Sequence, residues 1–234
     1  MPEIKRLLCL ANSRKLAGRC IAGREVLPAG AGPWIRPISD RPSEEVSEHE
    51  RQYEDGSDPR VLDVIDVPMI RHHPHACQTE NWLLDPDFYW VRKRQIGWLG
   101  LQAYTENPQS LWSNGQSTRH GSNDEILRQE ADVLPRSLYL IHVERVDLHV
   151  FVPNADYGDS KRRVQAIFQY RGVRYCLWVT DPSVTREYLL RENGTFTLYE
   201  SCLCLSLGEP FKSNHGECRY KLVAAVIQKA LVLP

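Results

Sequence analysis

The chain has 234 residues, 42% hydrophobic and 25% charged, and carries a formal net charge of −1 at pH 7. That mixture can bury a core and argues against global disorder, and the balanced charge excludes one polyanion-seeking field over the whole surface. No run approaches the roughly 18 apolar residues that cross a bilayer. Met1-Pro2-Glu3 leads straight into a strand-like run, and the seven cysteines are scattered. A cytoplasmic protein with reduced thiols and no membrane partner is expected.

In chain order, residues 5–11 (KRLLCLA) read as a buried strand, followed by a basic turn through Asn12–Lys15. Residues 19–26 and 34–38 read as short strands, punctuated by Pro28, Gly30, Gly32 and Pro33. The acidic stretch 44–58 suits either a helical turn or two, or a solvated loop. Residues 61–70 are strand-like, with Pro68 pointing to an edge or a strand end. Trp82-Leu83-Leu84-Asp85-Pro86 predicts a helix capped by Asp85 and ending near Gly97, and Trp178-Val179-Thr180-Asp181-Pro182 predicts another running to Gly194. The repeated syntax suggests an internal duplication. Ser122 and Glu125 have capping-box spacing for a short helix before Pro135.

The second half then offers strands at 137–152, 162–170 and 173–180, a helix, and strands at 195–207 and 218–228. Strand–strand–strand–helix–strand–strand is the order of a five-stranded OB barrel. The first half matches if residues 19–80 supply three strands. The expected fold is mainly β with a few short helices, as two OB-like barrels in tandem. Residues 1–134 would form the first, with irregular insertions, and 135–234 the second.

The opening KRLLCLANSRKLAGRCIAG, the phrase GPWIRPIS and the closing GEPF…CRYKLVAAVI resemble the bacterial dual-OB family over nearly the whole chain. The resemblance implies two OB-like barrels and a nucleic-acid or nucleotide ligand. It also implies a setting among DNA-modification and anti-phage defence genes, with protein partners from the same operon. It carries over no catalytic positions.

The residues themselves point to the hairpin 161–180. Alternation puts Arg163, Gln165, Arg174, Cys176 and Trp178 outward, opposite Val164, Ala166, Phe168, Tyr175 and Leu177. Guanidinium groups for phosphates, an amide for base edges and an indole for stacking would hold nucleic acid, DNA first. The alternative is that Trp178 and Cys176 face a second core layer. A second basic site gathers Arg14, Lys15, Arg19, Arg24, Trp34 and Arg36, where an ordinary cation–π surface pair is the competing reading.

No cofactor is expected, and zinc at His73, His75 and Cys77 is the alternative. No nucleophile elbow, zincin helix or phosphate loop is present. Cys20, Cys77, Cys176 and Asp181 are the candidate catalytic groups. In the DNA-modification setting that the family resemblance implies, an enzyme would act on a modified base, for example hydrolysing a 7-deazaguanine nitrile in DNA to its amide. A protein-binding scaffold using the acidic 44–58 stretch is a third reading.

Overall fold

The computed structural model describes residues 3–232. They form two units, one of residues up to Thr105 together with Pro135–Ser137, the other of Glu106–Leu134 together with Leu138–Leu231. Segment 106–134, which the sequence places at the end of the first domain, therefore folds with the second.

The first unit contains β1 (Glu3–Lys15), β2 (Gly18–Leu27), β3 (Gly30–Ile38), α1 (Glu48–Arg51), β4 (Asp63–His72), β5 (Asn81–Leu84), β6 (Val91–Gln95) and α2 (Trp98–Gln102). Antiparallel pairing joins β1 to both β2 and β4, and β3 lies parallel to β5. Leu7, Cys9, Ile21, Ile35, Ile65, Val67, Met69 and Trp90 fill the space inside. The basic turn expected at Asn12–Lys15 is instead strand, because those residues pair with Ile21 to Gly18. The chain reverses at Leu16, whose φ is 49°. The acidic stretch holds one helical turn, closed by a capping box between Ser47 and Glu50. It occupies the place of the OB helix, and it buries Val46 and Tyr53 in the core.

Pro68 lies inside a strand rather than at an edge, for a reason the geometry shows. A residue's N–H and C=O point to the same side of a strand, and the Pro68 carbonyl accepts the Asp85 N–H. On that side pairing with β6 stops at Asp66 and pairing with β5 starts at Met69. The missing donor thus falls in the gap between two partners.

The helix expected after Asp85-Pro86 does not form. The Asp85 carboxylate accepts the Asp87 N–H in a local turn, Trp90 is buried, and 91–95 pairs with β4 as strand β6. Arg92 and Lys93 then reach the carboxylates of Asp63 and Asp66, at 3.0 and 3.3 Å. Tertiary pairing overrides the capping syntax, and Gly97 starts α2 instead of ending a helix.

The second unit contains β7 (Glu125–Leu127), α3 (Arg128–Ala131), β8 (Leu138–Phe151), β9 (Arg163–Tyr170), β10 (Val173–Val179), α4 (Pro182–Leu189), β11 (Gly194–Ser213) and β12 (Gly216–Gln228). Its closure repeats the first: β8 pairs antiparallel with β9 and β11, and β10 lies parallel to β12. The turn Arg171-Gly172 has both residues at positive φ, 48° and 77°, as a two-residue hairpin requires. The duplication is therefore one of strand order. The W-x-x-D-P phrases are not its signature, since one follows the fifth strand of its barrel and the other the third.

Ser122 caps nothing; it exchanges backbone hydrogen bonds with Cys176. Residues 125–127 pair with β12 as β7, and the α3 turn starts only after Leu127. Asp181 does cap α4: its Oδ1 accepts from the backbone of Ser183 and Val184, while Oδ2 accepts from Val226 N–H. Asp181→Ala leaves three part-buried backbone donors without their acceptor and should cost about 2 kcal/mol. Urea unfolding checks this as a lower midpoint at unchanged m; an unchanged midpoint contradicts the assignment.

Candidate nucleic-acid interface

The pairing of β8, β9 and β10 sets the outward face of the second barrel row by row. Phe151 lies opposite Arg163; His149, Gln165 and Trp178 form the next row; Asp147, Ile167 and Cys176 follow; Gln169 and Arg174 close the far end. Val164, Ala166, Phe168, Tyr175 and Leu177 are buried on the other side. The hairpin thus presents the two faces its alternation predicts.

Trp178 is half-buried and lies on the outward face. Its ring lies 14° from parallel to Phe151 at 6.0 Å, and the Arg163 guanidinium stands 5.5 Å over it. His149 extends the group, 4.7 Å from Phe151. Arg163 and Arg174 are exposed, and neither guanidinium makes an ion pair or hydrogen bond with a described residue. They stand six residues apart along β9, since Arg174 is level with Gln169, or about 20 Å at strand rise. Arg174 borders a groove of about 620 Å³ shared with Arg145, Arg171 and His142. Two of those cations are committed: Arg145 to Asp147, and Arg171 to Asn107 and Pro108.

Two expected features differ. Gln165 is only 2% exposed and Cys176 5%, because residues 115–122 cross the face above them. The His120 carbonyl accepts the Gln165 amide at 2.9 Å and the Cys176 thiol at 3.5 Å. The Lys161-Arg162-Arg163 cluster also splits. Arg162 turns back to donate to the Leu189 and Arg191 carbonyls at the end of α4, where a cation suits the helix terminus.

Sequence reasoning missed Phe151 and His149, although the alternation of VDLHVF carries the signal. It also missed Phe211 and Tyr220, whose rings stack at 3.8 Å on the arm that joins the last two strands. Tyr220 precedes Leu222 by two residues, and Leu222 is level with Trp178, so Tyr220 shares the Trp178 side of the barrel.

The second basic site does not assemble as expected. Trp34 is 7% and Arg36 3% exposed. Arg36 is committed to Glu80 at 3.0 Å, and both it and Glu80 are bonded to Ser137. A buried guanidinium needs such a partner to offset its desolvation. Arg24 sits 5.9 Å from the Trp34 ring. Arg14 and Arg19 face each other across the first hairpin, and Lys15 lies 4.0 Å from Glu44.

The metal candidates diverge. A turn at Ala76, with φ 49°, breaks the extended alternation, leaving His75 exposed and Cys77 buried. The His73 ring contacts Arg71. Among the described residues no three His, Cys, Asp or Glu side chains gather as ligands.

The catalytic candidates are equally separate. Burial pushes the Cys176 thiol up to about 11, so it stays protonated near neutrality. Both Asp181 oxygens are engaged, Oδ1 in capping α4 and Oδ2 by the Val226 N–H. Cys20 lies beside Ser13 in the first barrel, and no described hydrogen bond joins it to a histidine or carboxylate.

A family described as dual OB-containing domain matches residues 5–226. The chain belongs to this family. Both barrels have the OB strand order, and the strand-two and strand-three face of an OB barrel is where oligonucleotides and oligosaccharides bind. No curated protein and no solved structure matches the chain. No described helix is long and apolar enough to cross a membrane.

Inside the second barrel Lys221 is fully buried, and its Nζ donates to the Ser113 carbonyl at 2.6 Å and to Asn114 Oδ1 at 2.8 Å. Burial pulls its pKa down to about 7. A neutral amine has two N–H groups, matching the two acceptors. Because the folded value lies below the unfolded one, the unfolded chain binds more protons above pH 7, and Lys221 makes stability rise with pH. The buried thiols Cys9 and Cys176, raised to about 12 and about 11, oppose this above roughly pH 8.5. Between pH 7 and about 8.5, wild type should therefore gain about 1.5 kcal/mol on Lys221→Met. Parallel urea titrations measure the difference; a constant gap contradicts a near-neutral Lys221.

Proposed function

We propose that the protein binds single-stranded nucleic acid across the outward face of the second barrel. The observation that carries this reading is Arg163 standing over the Trp178 ring with its guanidinium uncommitted. A phosphate can meet the cation while an unpaired base meets the rings of Trp178 and Phe151. Arg174 supplies a second cation about 20 Å along the strand, within the four or more nucleotides that one OB barrel covers. Duplex bases do not offer their faces, so a stacking surface favours a single strand. The DNA-modification and defence setting that the family resemblance implies makes DNA the polymer to test first.

Nothing on this face favours hydrolysis of a modified base. The thiol upon it is protonated, and Asp147 is held by Arg145 and Thr197.

Fluorescence anisotropy with labelled 12-nucleotide DNA and RNA, at two salt concentrations, tests the proposal. Trp178→Ala should weaken binding by about 5- to 100-fold, the worth of one stacked base. Arg163→Ala should lower the salt slope by about one phosphate contact. Equal affinities for wild type and both variants would remove this face from the function.

A further inference from the structure

The binding face is interrupted at its centre. Arg163 and Trp178 lie on one side of the interruption and Arg174 and Gln169 on the other; segment 115–122 separates them. The covering atom is a backbone carbonyl, that of His120, and it takes the two outward donors of the middle rows, the Gln165 amide and the Cys176 thiol. A base carbonyl or phosphate oxygen would make the same contacts on an open face.

The segment's own construction matches such a role. The His120 ring rests 5.9 Å from Phe151 and Arg119 pairs with the exposed Asp156 at 3.4 Å, but residues 113–122 (SNGQSTRHGS) contain no aliphatic side chain to plug them into the core. Instead, Thr118 donates through its backbone N–H at 2.8 Å and its hydroxyl at 2.5 Å to the buried Asp124 carboxylate. Asn123 donates to the Arg174 carbonyl and accepts the Gly115 N–H. Gly115 has φ +114° and is open around its Cα, a conformation suited to a hinge. The roots are firm: Lys221 and Tyr175 hold Asn114 at one end, and the Ser122–Cys176 backbone pair holds the other. A polar span between two fixed roots can lift without unfolding the barrel.

We propose that residues 115–122 form a strap that occupies the acceptor slot of the nucleic-acid face, and that a strand binds the middle of the face by displacing it. The inference rests on the proposed nucleic-acid function and adds its regulation. Affinity is then reduced by the fraction of molecules with the strap closed, and any change that opens it raises affinity by the same factor.

Two readouts on the full chain separate the possibilities. The rate of Cys176 modification by N-ethylmaleimide, followed by peptide mapping, reports strap opening without any ligand. Anisotropy with a labelled 12-nucleotide DNA reports affinity. Thr118→Val removes one charge-assisted hydrogen bond and should raise both labelling and affinity by about tenfold; Asn123→Ala, which removes its bonds to the Gly115 N–H and the Arg174 carbonyl, should do the same. Faster labelling with unchanged or weaker affinity would show that the strap is a wall of the site and overturn the proposal. Unchanged labelling in both variants would overturn it as well. No binding by wild type or either variant would instead bring down the nucleic-acid reading itself, with the strap's role falling alongside it.

Discussion

Closure of the second barrel depends on a short parallel contact, Trp178 beside Leu222 and Val179 beside Val223. It fixes which side of β10 faces out. With Val179 and Leu177 packed inside, Trp178 can only emerge on the outer surface, and β9, paired along six positions of β10, carries Gln165 and Arg163 to the same side. A one-residue slip would bury the indole and expose Leu177. The apolar inner layer therefore sets the geometry of the polar outer one.

The two barrels share strand order yet differ in what their outer faces offer. In the first, Trp34 and Arg36 are buried and Arg36 is spent on Glu80. In the second, the Arg163 and Arg174 guanidinium groups remain uncommitted, and Arg163 stands over the Trp178 ring. A charge held by a buried carboxylate stabilises the fold locally but has little left for a phosphate, whereas a cation over an exposed ring keeps its field. Carboxylates make the same distinction elsewhere. Partial burial works against the Asp66 carboxylate, but Arg6 and Lys93 outweigh it and hold its pKa below the ordinary value, which turns the basic run of β6 into scaffold.

Much of this was legible in the sequence wherever one period dominated. Alternation in 163–179 gave both faces of the hairpin, Arg171-Gly172 gave its turn, and Asp181-Pro182 gave the start of α4. Legibility failed where long-range pairing competed with local syntax. Asp85-Pro86 carries the same capping residues as Asp181-Pro182, but the residues after it find two buried carboxylates across β4 and become strand. Ser122 has the spacing of a cap and is used as an edge pair for Cys176. The burial of Gln165 could not be read at all, because it depends on a loop more than forty positions away settling over it. Trp34 and Arg36 failed for a related reason: a lone Glu80 some forty residues on decides that the arginine is interior.

The account stands on Trp178 and its neighbours being the place where a strand lies. Photocrosslinking with a DNA 12-mer containing 5-iododeoxyuridine, followed by peptide mapping, examines that directly. Crosslinks should fall on the peptides carrying Phe151 and Trp178. Crosslinks confined to the first barrel, with none on β8 or β10, would contradict it.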